Sequence, residues 1–245
     1  MELSKRNKRY GYFVTGIDTG VGKTRVAVQL MHQFRERGLR VAGFKPIASG
    51  AIKGLNGWIH EDVEAMQAAA TVELPNSVVN PYCFEPPIAP VIAAVEQGTC
   101  MTVNALMEGY KNNIQPYVDA LVVEGAGGWI QPLNEHESMA DLACALRLPV
   151  VIVVSIRLGC LNHALLTYQS IQATGLPIAG WYANIMDPSV ERIEEQIMQL
   201  QKRLACPLLG TIPYQHGEIL DEHKNLGGES LSCVADHQED VLVVS

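Results

Sequence analysis

An α/β fold, a mostly parallel β-sheet with helices on both faces, is predicted by three observations. Unbroken apolar runs recur along the chain, Ala120-Leu121-Val122-Val123 and Val150-Val151-Ile152-Val153-Val154 being the clearest. Segments with apolar residues at helical spacing separate these runs. No internal repeat and no linker interrupts the alternation. Strands buried on both faces read as continuous apolar runs, and parallel strands need crossovers, usually helices, between them. The expectation is a single domain over residues 1–245, with its core at about 10–215 and the tail 216–245 left unassigned.

Tyr12 to Thr15 reads as the first strand. Thr24 to Arg37 reads as a helix, with Val26, Val28, Leu30, Met31 and Phe34 apolar and Gly38 closing it. Leu39 to Phe44 is a second strand, and His60 to Ala70 and Val103 to Ile114 are helical. The strand Ala120 to Val123 runs into Glu124-Gly125-Ala126-Gly127-Gly128. Met139 to Leu146 is a short helix and Val150 to Val154 the strongest strand. Leu161 to Ala173 is a helix, Ile178 to Tyr182 a strand, Val190 to Leu204 a helix, and Pro207 to Ile212 closes the series.

Composition narrows the function. The chain has 245 residues, 48% of them hydrophobic and 18% charged, as expected of a compact globular protein. A net charge of −8 disfavours nucleic acid and anionic membranes as partners. The basic start, Lys5-Arg6-Asn7-Lys8-Arg9, reads as a solvated terminus. It runs into a stretch too short for a signal peptide, and no run of about 18 apolar residues suggests a membrane span. The six cysteines are scattered without a C-x-x-C pair, so most of them read as small buried hydrophobes in a reducing cytoplasm.

The chemistry starts at Gly16-Ile17-Asp18-Thr19-Gly20-Val21-Gly22-Lys23-Thr24, between the first strand and the first helix. Strand, glycine-rich turn and helix make a phosphate cradle. Backbone N–H groups face the phosphates, Lys23 reaches the terminal ones, and the Thr24 hydroxyl can sit on Mg²⁺. The strict pattern places glycine five positions before the glycine of Gly-Lys-Thr; here Ile17 stands there, and Gly16 lies one step further out. The fold is therefore expected to be P-loop NTPase-like. Ligands of such sheets bind at the carboxyl ends of the strands, so this loop, the Lys45 segment, Glu124 and the loop after Val154 should converge.

Four further positions are candidates. Glu124 ends a buried strand, where a hard carboxylate oxygen suits Mg²⁺; the alternative is a solvated strand end. Lys45 opens Lys45-Pro46-Ile47-Ala48-Ser49-Gly50 and either stabilises charge in phosphoryl transfer or is a surface lysine. His60-Glu61-Asp62 opens a helix, where Asp62 is either a capping and dipole-matching residue or a second carboxylate for Mg²⁺. Asn184 either reads an adenine edge or is a turn residue.

Six pieces, in order over roughly residues 10 to 215, resemble the dethiobiotin synthetase family. They are Val14 to Thr24, Gly43-Phe44-Lys45-Pro46-Ile47-Ala48-Ser49-Gly50, Asn80-Pro81-Tyr82, Val122 to Gly128, Leu158-Gly159-Cys160-Leu161-Asn162-His163 and Ala179-Gly180-Trp181-Tyr182-Ala183-Asn184. The resemblance implies conversion of 7,8-diaminopelargonate, CO₂ (or bicarbonate) and ATP into dethiobiotin, ADP and phosphate, through a carbamate and a carbamic–phosphoric anhydride. It implies Lys45 and Lys23 as catalytic residues and Ser49 as a substrate contact. It implies Thr24, Asp62 and Glu124 as Mg²⁺ ligands. The nucleotide would be lined by Gly20, Val21, Gly22, Lys23, Thr24, Arg25, Asp62, Glu124, Gly125, Ala126, Gly127, Asn184, Pro213, Tyr214 and Gln215. It also implies a cytoplasmic homodimer with its sites near the interface, where Gly159 to Asn162 open a helix that could receive the substrate carboxylate.

Two positions depart from the pattern: Ile17 stands where threonine is common, and Val91 follows Pro90 where histidine is expected. Competing readings are an ATP-dependent amidating enzyme of the same fold group, for which 245 residues leave little room for a glutamine-using domain, a partitioning ATPase and a catalytically dead homologue. Asp18 occupies the place of the partitioning ATPases' first loop lysine, and the presence of Lys23, Lys45 and Glu124 argues against loss of catalysis.

Overall fold

A computed structural model describes residues 9–54 and 57–214. In chain order the elements are β1 (Tyr10–Gly16), α1 (Lys23–Glu36), β2 (Val41–Phe44), β3 (Ile47–Ser49), β4 (Ile52–Gly54), β5 (Gly57–Ile59) and α2 (Glu61–Ala69). Then come α3 (Asn76–Val79), β6 (Tyr82–Phe84), α4 (Pro90–Glu96), α5 (Val103–Asn113), β7 (Ala120–Gly128) and α6 (Met139–Leu146). The series ends with β8 (Val150–Ser155), α7 (Cys160–Ala173), β9 (Ile178–Asn184), α8 (Ile193–Gln201) and β10 (Leu208–Ile212).

Six strands form a sheet in the order β10-β9-β8-β1-β7-β2, and every pairing in it is parallel. The apolar runs are buried on both sides because strand residues alternate between two cores. Phe13, Leu121, Val123, Val150, Ile152 and Val154 pack on one face with residues of α5, α6 and α7. Val14, Ala120, Val122, Val151 and Val153 pack on the other against Val26, Leu30, Met31 and Phe34 of α1. From β1 the chain crosses to one side of the sheet, and from β7 it crosses back over β1 to β8. That reversal opens a crevice at the carboxyl ends of β1 and β7.

The expected helices and sheet strands are present, with boundaries that move for physical reasons. α8 is shorter than the expected 190–204 because Arg192 takes a left-handed conformation (φ 58°) and caps it. β7 continues through the glycines to Gly128, and its register against β1 shifts between Val14 and Gly16. Two small ribbons lie outside the expectation: β3 pairs with β6 in parallel, and β4 with β5 in antiparallel. Each strand has three residues, too few to show a period.

Phe13 anchors the strand that leads into the phosphate loop. It is fully buried and meets Trp129 edge to face, centroids 6.0 Å apart at 88°. Phe13→Ala should cost about 3–5 kcal/mol of stability, read as a lower denaturant midpoint with little change in slope.

Candidate active site

The loop between β1 and α1 is shaped by glycines at the positions that need them. Gly22 has φ 85°, and a Cβ there would collide with the Asn184 amide nitrogen. No other residue type fits both constraints. Gly22 precedes α1 without a side-chain cap, leaving backbone donors at the helix N-terminus for an anion. Asn184, fully buried at the end of β9, donates from Nδ2 to the Val21 carbonyl at 2.8 Å and so fixes the loop from the neighbouring strand. Ile17 has ordinary backbone geometry and packs against both cores, which accounts for an apolar side chain at that place. Asp18 accepts from the Thr19 N–H at 2.8 Å and from Arg157 Nη2 at 2.7 Å, tying the loop to the chain after β8.

The charged centre lies just inside the loop. Lys23, buried, donates from Nζ to the carbonyls of Asp18 (3.0 Å) and Gly127 (2.8 Å). Thr24 donates from Oγ1 to Asp62 Oδ1 at 2.6 Å and contacts Glu124 Oε1 at 3.1 Å. Lys45, at the end of β2, donates from Nζ to Asp62 Oδ2 (2.6 Å) and Glu124 Oε1 (2.5 Å). The Lys45 and Glu124 side chains are 5% and 1% exposed, so this is an interior ion cluster.

Its electrostatics follow from burial and pairing. Burial lowers Lys23 from 10.5 to about 8, and the nearby Lys45 charge adds to the drop. Burial alone would lower Lys45 as well, but the charges of Glu124 and Asp62 outweigh it and hold the ammonium protonated, above its usual value. Burial pushes Glu124 up against the pull of Lys45, with Asp62 adding to the rise. Asp62 is less buried; the Lys45 charge and hydrogen bonds from Lys45 and Thr24 overcome its desolvation and hold it below the usual carboxylate range.

Three of the candidate residues carry buried polar atoms without a partner: Ser49 Oγ, Glu124 Oε2 and Asn184 Oδ1. An unpaired buried carboxylate oxygen is costly unless a ligand meets it. Glu124, Asp62 and the Thr24 hydroxyl together present hard oxygens, the donor type that Mg²⁺ takes, so the residues fit that cation.

Neighbouring residues hold this centre in place. Asn80, singled out in sequence without a role, donates from Nδ2 to the Lys45 carbonyl at 2.6 Å. His60 caps α2 by accepting from the Asp62 N–H at 3.2 Å and also reaches the Ser49 carbonyl. Arg157 carries no sequence signal, because a lone arginine after a strand has no motif. Gly125, Ala126 and Gly127 continue β7 beyond Glu124, and Lys23 bonds the Gly127 carbonyl. Gly20, Val21 and Arg25 line the loop or start α1; Arg25 Nη1 lies 3.4 Å from the Pro213 carbonyl. Tyr214 is exposed beside them, and Gln215 lies outside the described residues. Val91 sits in the first turn of α4, after Pro90. Among the described residues no helix is long and apolar enough to cross a membrane.

A family model described as an AAA domain matches residues 10–218. The ATP-dependent dethiobiotin synthetase BioD of Xanthomonas axonopodis pv. citri is 46% identical over 206 residues, covering 84% of this chain and 92% of that protein. The chain belongs to the ATP-dependent dethiobiotin synthetase family. A second member, from Nitrosospira multiformis, is 46% identical over 204 residues, covering 83% of this chain and 88% of that protein. The crystal structure of a ParA family ATPase from Chlorobium tepidum TLS superposes with a TM-score of 0.50 at 15% identity, covering 85% of each chain. At that identity the likeness speaks for the fold alone.

The Lys23 environment makes a measurable prediction. A polyphosphate beside the ammonium would favour its charged form and raise its pKa from about 8. At pH between that value and 10.5, binding of an ATP analogue should therefore take up protons. Calorimetry in two buffers of different ionisation enthalpy should show net uptake near pH 8.5; proton release would contradict the placement.

Proposed function

We propose that this chain, through a single α/β unit, makes dethiobiotin from 7,8-diaminopelargonate, CO₂ and ATP in biotin biosynthesis, with the residues above in the following roles. Loop N–H groups and Lys23 bind the polyphosphate. Gly125 to Gly127 flank it, and Asn184 and the segment from Pro213 lie towards the base. Thr24, Asp62 and Glu124 hold Mg²⁺, which supplies charge neutralisation between the phosphates when bound.

One amine of the diamine takes up CO₂ and loses a proton, giving a carbamate. A carbamate oxygen attacks the γ-phosphorus as the bond to ADP breaks, giving the mixed anhydride. The second amine attacks the carbamoyl carbon, closing the ureido ring, and phosphate leaves with the former carbamate oxygen. The carbamate and the γ-phosphate are both anionic, so bringing them together is the main electrostatic obstacle. Lys45 supplies the positive charge at that meeting point, and Ser49 presents its unpartnered hydroxyl to the substrate.

The observation that carries this reading is the buried Lys45 ammonium bonded to both carboxylates beside the phosphate loop. A pure switch ATPase needs no second interior cation there. A second copy of the chain would complete the substrate carboxylate site. Gly159 precedes α7 in a left-handed conformation without a side-chain cap, and Leu158 beside it is 95% exposed, as suits a residue that a second copy covers. The expected product is cytoplasmic biotin precursor made by a homodimer.

Phosphate release from MgATP with bicarbonate should depend on 7,8-diaminopelargonate; turnover indifferent to the diamine would refute the reading. Lys45→Ala should lower kcat by about 10²- to 10³-fold, the range for loss of one charge-stabilising group, while changing nucleotide affinity far less. A loss confined to ATP affinity would contradict the role given to Lys45.

A further inference from the structure

His60 brings its two ring nitrogens to two different parts of the site. Nδ1 accepts from the Asp62 N–H at 3.2 Å, and Nε2 lies 3.2 Å from the Ser49 carbonyl oxygen. A neutral imidazole has one N–H and one lone pair. With Nδ1 accepting, the proton is on Nε2 and is donated to Ser49, a tautomer assigned from the hydrogen bonds. The ring is 12% exposed, so water competes little for either bond.

These bonds close a circuit. The Ser49 carbonyl is joined through the imidazole to the Asp62 amide. The Asp62 carboxylate is joined to Lys45 Nζ, and Lys45 leads back to Ser49 through Pro46 and β3. On the far side of Ser49, the N–H groups of Gly50 and Ala51 both donate to the Phe84 carbonyl at 3.0 Å. The peptide carrying the unpartnered Ser49 hydroxyl is thus held from two directions.

Capping alone does not call for histidine. Asn, Asp and Ser cap helices at least as well through an oxygen at or near the place of Nδ1. Their side chains end short of Nε2, by one ring bond for Asn and Asp and by two for Ser, so they give up the bond to Ser49. Glutamine is the converse: through a carbon at the place of Cδ2 its amide nitrogen reaches the place of Nε2, which leaves no acceptor at the place of Nδ1.

We infer that His60 is a positioning residue that couples the substrate-contacting hydroxyl of Ser49 to the cation-holding carboxylate of Asp62. The inference rests on the functional reading above, and the pair His60→Asn and His60→Gln separates its two halves.

His60→Asn keeps the cap and loses the Ser49 bond. Its KM for the diamine should rise about five- to tenfold, the value of one neutral hydrogen bond, with KM for ATP unchanged. The thermal stabilisation given by Mg²⁺ with a non-hydrolysable ATP analogue should also match that of the parent chain. His60→Gln should do the reverse, weakening the Mg²⁺-nucleotide stabilisation while its diamine KM stays closer to the parent's. An unmoved diamine KM in His60→Asn overturns the inference. So does a parallel shift of both KM values in both variants, which is what a merely structural role would give. Parent-chain phosphate release that ignores the diamine would instead remove the functional reading on which the inference stands.

Discussion

The Lys45 ammonium, seated between Asp62 and Glu124 with almost no access to water, is the interaction on which the rest of the structure depends. Two carboxylates this close would not both stay ionised in the interior without a cation. Lys45 supplies it, and the chain invests several elements in holding it there. β2 delivers the residue, Asn80 grips its carbonyl, α2 presents Asp62, and β7, between β1 and β2, presents Glu124. Thr24, the second residue of α1, joins the same carboxylates and so links the phosphate loop to the cluster.

The cluster is close to neutral on its own: two lysines, Lys23 and Lys45, face two acids. A nucleotide polyphosphate adds several negative charges, and a carbamate adds one more. The site therefore has reason to recruit a divalent cation, and the unpartnered Glu124 Oε2 gives it an oxygen not committed to Lys45. On this account Lys45 serves two partners in turn, the carboxylates when the site is free of nucleotide and the reacting anions when it is loaded.

The sheet was legible because its strands are buried on both faces, so Val150 to Val154 and Ala120 to Val123 carry a signal that needs no context. The phosphate loop was legible because its chemistry demands glycines and a lysine at near-fixed spacing. Lys45 and Asp62 were ambiguous from their fragments, since a strand-end lysine and a first-turn aspartate have ordinary structural uses; only the tertiary fold brings them within 2.6 Å. His60, Asn80 and Arg157 were the hardest to read. They act through backbone carbonyls and a loop aspartate, and such bonds leave no pattern in residue types. The short ribbons of β3 with β6 and β4 with β5 were invisible for a different reason, since three-residue strands show no periodicity. Ile17, an anomaly in the loop motif, is explained by packing against both cores.

The most direct test of the central claim is a crystal structure of the chain with Mg²⁺, a non-hydrolysable ATP analogue and 7,8-diaminopelargonate in bicarbonate. The account predicts the cation on the oxygens of Thr24, Asp62 and Glu124, with Lys45 Nζ turned from the carboxylates towards the γ-phosphate and the carbamate. Lys45 still bonded to both carboxylates, or a cation bound away from those three residues, would contradict it.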